Sequence, residues 1–266
     1  MAHFDKSDRF TSRMFDDGNR IRFERPVDDI GRQWWLANFY EPFDLTPEGM
    51  ADRLSRSAPG SKSAIYHFVD GIAETFSVRI DGDFPGSKEY WYAQRSLDLK
   101  GAAFNADGMF VSEGAQGMGW GRALMGDLID TASFIRLETI RLQAEKIGRY
   151  AWIKMGFLPD AGSWMHLKRL ALSFILTHET RLGTEIANDL VRRVNSGGPE
   201  AARALAAVET PVPSRDLPQR HDEVLVPFGR AFFLEIGGDW HGSLNLRDKE
   251  TMQLVASYLD TDRSGR

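Results

Sequence analysis

Gly114, Gly117, Gly119 and Gly121 fall within eight residues of one another, in the run Val111-Ser-Glu-Gly-Ala-Gln-Gly-Met-Gly-Trp-Gly-Arg-Ala-Leu-Met125. A hydrophobic stretch, Met109-Phe110-Val111, enters this run, and a helical pattern leaves it. Glycine reaches backbone angles that other residues avoid, and it lets a ligand approach the main chain. A helix that starts there offers unpaired N–H groups and the positive end of its dipole. The chemistry such a turn supports is the binding of a phosphate or pyrophosphate; its plainer reading is a turn and nothing more. Two familiar nucleotide motifs do not fit. No Lys-Ser or Lys-Thr closes a P-loop, and Gly117-x-Gly119-x-Gly121 lacks the spacing of the dinucleotide fingerprint.

Gln116-x-x-Gly119-x-Gly121 resembles the acyl-CoA pyrophosphate loop of the GNAT N-acyltransferases, whose pattern is Arg or Gln, two residues, Gly, one residue, Gly or Ala. Downstream, Leu142-Gln-Ala144 closes a β-like run and Gly148-Arg-Tyr-Ala-Trp-Ile-Lys-Met-Gly-Phe157 follows. Its end, Lys154-Met155-Gly156-Phe157, is similar to the Tyr-x-Lys-x-Gly-Phe helix end of the same family. The resemblance extends over about 20–170 and is specific over about 109–157.

The resemblance implies acyl-CoA, with an acetyl or longer chain, as co-substrate. Gln116, Gly117, Met118, Gly119, Trp120 and Gly121 would bind its pyrophosphate mainly through backbone N–H groups. Arg122 would add a charge-assisted bond, or is simply a surface arginine in the first helical turn. The strand with Phe110 and Val111 would pair with the pantetheine amide as an added strand does, with the thioester at a splay between strands. The reaction is direct attack of an amine on the thioester. It requires a neutral amine, an oxyanion donor and a proton for the leaving thiolate.

Departures from the family pattern bear on that chemistry. The position of its common catalytic tyrosine falls on Trp152, whose indole donates only and is a very weak acid. Tyr150 lies near the opposite helical side. Glu145 and Gly148 stand where Asn and Ala are usual. Glu113, which follows the entering strand, is the first candidate base; its plain reading is a solvated loop carboxylate. His67 and His166 sit in strand-like runs and could reach a cleft, or are core or surface histidines. His241, in Asp239-Trp-His-Gly242, could bind metal or orient a base beside Asp239, or belong to a loop cluster without a role. No metal triad, serine-nucleophile motif or thiol site is present.

The elements that must position these residues read as follows. Residues 1–19 are polar and mixed in charge, a flexible arm. Ile21–Phe23 is a first strand. Asp28-Asp29 caps a helix through Gln33-Trp34-Trp35-Leu36-Ala-Asn-Phe39-Tyr40, whose aromatics are either core or the wall of an acyl pocket. Thr46-Pro47-Glu48 starts a second helix that reaches about Ser57. Ala64–Val69 and Thr75–Ile80 flank Asp70-Gly71, a hairpin signal, and a second such pair follows at Asp81-Gly82. Glu89–Ala93 and Ser96–Leu99 add more strand, so an antiparallel meander precedes Met109–Val111. Arg122 to about Ile135 is a helix with Leu124, Leu128, Ile129, Ala132 and Ile135 on one face. Thr139–Leu142 is a strand, and Trp164–Arg169 is expected to be the last strand of the family resemblance.

From Leu170 onward the resemblance ends. Ala171–Val194 and Glu200–Val208 are helical in character, Thr210–Pro218 is a Pro-rich linker, Ala231–Ile236 reads as a strand, and Asp248–Leu259 as a final helix before a loose tail. The fold class is therefore α/β (α+β): mixed by pattern and, by the resemblance, a mostly antiparallel sheet with flanking helices and a C-terminal α/β extension. The expected organisation is an arm at 1–19, a GNAT-like domain at 20–170 and an extension at 171–266.

Composition narrows the partners. The chain has 266 residues, 42% of them hydrophobic, with net charge −5 and an isoelectric point near 5.7. That length makes one large domain or two small ones. The acidic balance argues against a nucleic-acid surface. The absence of cysteine excludes disulfides and thiolate chemistry and suits a cytoplasmic protein. No apolar run suggests a signal peptide or membrane span. The expected activity is acyl transfer from acyl-CoA to a primary amine of a small molecule or peptide, with an acyl carrier protein as a possible donor and a homodimer left open. The aromatic first helix, the meander aromatics Tyr90, Trp91 and Tyr92, and the missing tyrosine tilt the donor toward an acyl group larger than acetyl. The rival readings are a catalytically silent CoA-binding or protein-interaction module, and an acyltransferase that acts on a protein or, less readily, tRNA.

Overall fold

The computed structural model describes residues 13–16, 18, 20–68, 75–214 and 224–260. Two compact units meet in sequence after Ile140: one takes the chain up to that residue, the other Arg141–Thr261. The expected arm lies outside the described residues except at 13–16 and 18, and so do the Asp70-Gly71 turn and most of the C-terminal tail.

The first unit is a five-stranded sheet with helices on one face. It opens with β1 (Ile21–Phe23) and α1 (Asp29–Trp35). Asp28 caps α1, accepting from the Gly31 N–H at 2.7 Å, which satisfies one of the N–H groups a helix start leaves open. The helix runs on through a π turn, Leu36–Tyr40, to Glu41–Phe43, and stops at Asp44 in the left-handed region, φ 51°. In α2 (Pro47–Leu54), Thr46 caps the Gly49 N–H at 3.0 Å. The strands β2 (Lys62–Phe68), β3 (Thr75–Asp83), β4 (Tyr90–Asp98) and β5 (Ala103–Val111) form an antiparallel meander, with β1 parallel to β2 at its far edge. Then α3 (Trp120–Phe134) packs on α2 and β5.

Strand alternation sends Ala64, Tyr66, Phe76, Val78, Ile80, Trp91 and Ala93 to the buried face. There Trp35 meets Phe76 with ring centroids 5.2 Å apart and Phe39 at 4.8 Å. The Trp35 indole donates to the Leu45 carbonyl at 2.8 Å, and the Tyr66 hydroxyl to that of Pro47 at 2.6 Å. Burying rings of this size contributes on the order of 2 kcal/mol each, and the polar tips are satisfied. Trp35 and Phe39 are therefore core, which removes their support for an acyl-pocket wall and a longer acyl chain. The opposite face carries a different set: His67, Ser77, Arg79, Tyr92, Gln94, Ser96 and Phe110, in register across the strands.

The Asp81-Gly82 pair makes no turn. β3 runs through it because the Trp91 ring occupies the place of a Gly82 side chain; a Cβ there would lie 2.4 Å from that ring. The chain reverses later, where the Phe84 N–H donates to the Glu89 carbonyl at 3.0 Å and Gly86 takes φ 75°.

The second unit contains α4 (Gly148–Met155), β7 (Leu158–Pro159), α5 (Ala161–Thr177), α6 (Glu179–Leu182), α7 (Thr184–Ser196) and α8 (Ala201–Ala206). The strand β6 (Thr139–Ala144) precedes them and spans the division. A two-stranded ladder of β8 (Pro211–Pro213) and β9 (Leu225–Pro227) leads to α9 (Phe228–Ala231), which continues as a π segment, Phe232–Ile236. Then come β10 (Trp240–Asn245) and α10 (Lys249–Asp260). β10 lies between β6 and β7 in the sheet order and pairs antiparallel with β7.

Two strand expectations fail in this unit. Trp164–Arg169 is helical, because Asp160 caps the Ser163 N–H at 2.7 Å and Trp164, Leu167, Ala171 and Phe174 then line one buried face. Ala231–Ile236 is the end of a helix and a π turn, with Phe228, Phe232 and Phe233 buried at helical spacing. A boundary at residue 170 would fall inside α5. Among the described residues, no helix is long and apolar enough to cross a membrane.

Candidate anion-binding loop

The turn from β5 into α3 is built from short local contacts. Ser112 pins the end of β5 to β4: its hydroxyl accepts from the Tyr90 N–H at 2.9 Å, and its own N–H donates to the Tyr90 carbonyl at 3.0 Å. A single 3-10 turn, Glu113–Ala115, follows, closed by the Ala115 N–H on the Ser112 carbonyl at 2.9 Å. The Gln116 side chain folds back and donates to the Val111 carbonyl at 2.9 Å. The strand's last acceptor is thus met within the loop.

Gly117 and Gly119 both stand in the left-handed region, at φ 78° and 82°. With Gln116 extended at φ −68° and ψ 156°, Gly117 takes the positive φ that the third position of a type II turn requires. Among the described residues, a Cβ on Gly117 would meet nothing within 4 Å, so they leave the loop open above that residue. A Cβ on Gly121 would meet the Met109 Cε at 3.2 Å, so α3 starts tight against β5. Gly119 is the N-cap of α3 and has no side chain to cap with, in contrast to Asp28, Thr46 and Asp160 at α1, α2 and α5. The α3 N-terminus therefore meets its N–H groups and dipole without a side-chain acceptor of its own. The Trp120 ring rests on Phe84, centroids 5.5 Å apart, and among the described residues its buried indole N–H has no hydrogen-bond partner. Arg122 sits in the first turn, and Met118 is 55% exposed at the rim.

Phe110 is drawn into an aromatic strip on the open sheet face, 5.2 Å from Tyr90 and 5.7 Å from Tyr92, with the Arg79 guanidinium 4.2 Å from the Tyr92 ring. Val111 is directly opposite Trp91. Glu113 is exposed within the loop. His67 is not near it. The register His67↔Ser77, Ser77↔Ser96, Ser96↔Asn105 places it three strands from β5, roughly 14 Å at the usual spacing, and it pairs there with Glu24. His166 belongs to the other unit and is exposed on α5 rather than in a strand.

The register also shows residues that sequence reasoning missed. Gln94 pairs with Gly108 but Arg95 with Ala106, so Asp107 is one residue too many, a β-bulge. Bulges bend a strand and re-aim side chains, and they occur next to active sites. Asp107 is exposed as a residue, and the loss of water on the sheet side of its carboxyl holds it above its ordinary value, opposed by Ser96 and the charge of Arg95. The signal was Gly108 within a strand pattern, which marks bulges. Arg95 is buried at 1% exposure, and its guanidinium donates to the Gln94 and Gly108 carbonyls, each at 2.9 Å. Burial pushes its pKa down to about 10, against the pull of Asp107.

In the second unit, Trp152 packs on its own helix: a Cβ on Gly148 would lie 2.6 Å from the indole nitrogen. The Tyr150 hydroxyl donates to the Ala206 carbonyl at 3.4 Å, and burial raises its pKa. Asp239 pairs with Arg149 at 2.7 Å, and the His241 backbone N–H donates to Ser163 Oγ at 2.9 Å. Among the described residues, no group of three His, Asp or Glu could hold a metal ion.

No protein-family model matches the chain, and no curated protein matches it. Among solved structures, the chain is similar to nourseothricin acetyltransferase, at 20% identity and a TM-score of 0.28, over 33% of this chain and 52% of that one. It therefore spans about half the length of that acetyltransferase.

Proposed function

We propose that the protein is an N-acyltransferase that moves an acyl group from acyl-CoA to a primary amine of a small molecule or peptide by direct attack. The observation that carries this reading is the loop: two left-handed glycines, Gly117 and Gly119, lead into a helix start without a side-chain cap, and the described residues leave the space above Gly117 open. The backbone from Gln116 to Arg122 takes the donor's pyrophosphate, and the end of β5 at Phe110 and Val111 takes the pantetheine arm. Backbone N–H bonds to a charged oxygen contribute about 1.5–3 kcal/mol each.

The attacking amine must lose a proton. Asp107, exposed on the bulge of β5 with its carboxyl held above its ordinary value, is the residue best suited to accept it, since a base works best with a pKa lifted toward the working pH. Glu113 is the second candidate, closer in sequence to the pyrophosphate loop. His67 and His166 stand too far from β5, or on the other unit, to be first choices. Trp152 provides no acid, so the leaving thiolate takes its proton from water.

The test is calorimetric titration of the purified protein with CoA, acetyl-CoA and a long-chain acyl-CoA, repeated with Gly119→Asp. Saturable binding that the substitution abolishes supports the loop's role, and the preferred thioester identifies the donor. Binding without thiol release across a panel of amines would favour the silent, CoA-binding reading that Trp152 suggests. Failure of all three ligands to bind removes the acyl-CoA reading.

A further inference from the structure

A buried arginine without an ion pair needs an account. Arg95 lies on β4 with 1% of its surface exposed; the opposing charge that acts on it is the Asp107 carboxyl on the bulge, with no direct salt bridge between them among the described residues. A cation in that position is costly unless its surroundings use it. Its fixed contacts are few. One terminal nitrogen donates to two carbonyls, those of Gln94 and Gly108, at 2.9 Å. The other lies 4.0 Å from Met109 Sδ, and Nε has no partner.

These contacts join three parts of the candidate site. The Gly108 carbonyl belongs to the bulge at Asp107, where the ladder between β4 and β5 slips and leaves its groups to be met by something else. Met109 then reaches forward, and its Cε sits 3.2 Å from where a Cβ on Gly121 would be, in the first turn of α3. Thus a single methionine side chain separates the guanidinium from the start of that helix. The charge is held in the low-dielectric core, where it acts over a longer range than a surface arginine would. Its sign matches that of the α3 dipole's near end.

We infer that Arg95 is a positioning residue for the anion loop: its hydrogen bond fixes the bulge of β5, and its buried charge raises the loop's affinity for the phosphate groups of the donor. The inference rests on the acyl-CoA reading above. It assigns Arg95 no contact with the ligand. Its effect passes through the field at the α3 N-terminus and through the shape of β5. The charge explains why the position is not filled by a hydrophobic residue, which would pack with less desolvation.

The experiment compares two ligands on the full chain: CoA, which carries the phosphates, and pantetheine, which does not. Calorimetric affinities for both are measured for the unaltered protein, Arg95→Gln and Arg95→Lys. Glutamine has no charge and its amide ends at about the place of Arg95 Nε, short of the Gly108 carbonyl, so it removes the bond as well as the charge; lysine keeps the charge. The expected result for Arg95→Gln is a CoA affinity that falls about tenfold further than the pantetheine affinity, the order expected when a charge held at low dielectric is removed. Arg95→Lys should keep the ratio of the two affinities. If Arg95→Gln does not fold, that ratio in Arg95→Lys decides alone, and a tenfold fall in it overturns the inference. Equal losses of CoA and pantetheine in Arg95→Gln also overturn it, because they show a structural role only, and so does no loss at all. If the unaltered protein binds neither ligand, the acyl-CoA reading itself falls, a result distinguishable from the others by the first titration.

Discussion

Replacing Gly117 by alanine and, separately, by asparagine divides the loop's two demands, backbone shape and empty space. Gly117 has φ 78° and, among the described residues, nothing within 4 Å of where a Cβ would be. The space around it therefore adds no steric cost to either substitution in the free protein. Alanine pays for the left-handed backbone, about 1–2 kcal/mol. Asparagine visits that region more readily, so most of this cost is absent. Both side chains project into the volume assigned to the pyrophosphate. Displacing the ligand from one charge-assisted N–H bond costs about 1.5–3 kcal/mol, or roughly tenfold to a hundredfold in affinity. The expected pattern has two parts. In urea denaturation Gly117→Asn is nearly as stable as the unaltered protein and Gly117→Ala is less so, while in calorimetry both lose CoA affinity by at least about tenfold. Gly117→Asn with unaltered CoA affinity would refute the reasoning, because the open volume would then not be ligand volume.

Asp107→Asn is expected to lower kcat/KM for amine acylation by about 10²–10⁴-fold and to remove the acid limb of its pH profile. In the unaltered protein, activity should rise with pH as Asp107 loses its proton, with a midpoint above the ordinary carboxylate value of 3.8. The same raised pKa has a stability sign. The contribution of the protonated carboxyl is present below 3.8 and lost as pH rises through the folded value, so on going from pH 8 to pH 4 the urea midpoint of Asp107→Asn should fall further, or rise less, than that of the unaltered protein. Asp127 is buried on α3 and accepts from the Ser57 N–H at 2.7 Å and the Ser57 hydroxyl at 2.8 Å. Asp127→Ala leaves both donors without that acceptor and should cost about 1–3 kcal/mol in urea denaturation. Arg203 donates to the Gly156 carbonyl at 2.5 Å and to Thr251 Oγ1 at 2.9 Å. Arg203→Ala should destabilise the second unit by about 1–3 kcal/mol, read as faster amide exchange at the end of α4.

What the sequence made legible was local. The glycines of the loop are visible because only glycine takes φ near 80° without strain, and Gly117 and Gly119 do so. Asp28 and Thr46 announced their helices because a cap is a contact over three residues. The meander followed from alternation. The bulge was hidden because it is a relation between β4 and β5: Asp107 is surplus only once Gln94 and Arg95 are seen to pair on either side of it. Asp81-Gly82 misled because the turn signal is local, whereas the Trp91 ring that fills the glycine's place comes from the next strand. Trp164–Arg169 misled for a different reason. Over six residues, strand and helix periods cannot be separated; the helix shows only when Ala171 and Phe174 are added to Trp164 and Leu167.

The order of β6, β10 and β7 has a consequence for the birth of the chain. β10 lies between the other two, yet Trp240–Asn245 is made some eighty residues after Leu158–Pro159. On the ribosome, β1 to β5 can close their ladders as each strand emerges, for every partner is already made or next in line. β7 must wait for a partner strand that arrives almost at the end of synthesis, and β6 for the second of its two neighbours. Contacts so distant in sequence form slowly. A ribosome paused after Ser196 would therefore hold a finished meander and, behind it in the chain, a β7 segment whose partner strand has not yet been made and a β6 with one edge unpaired.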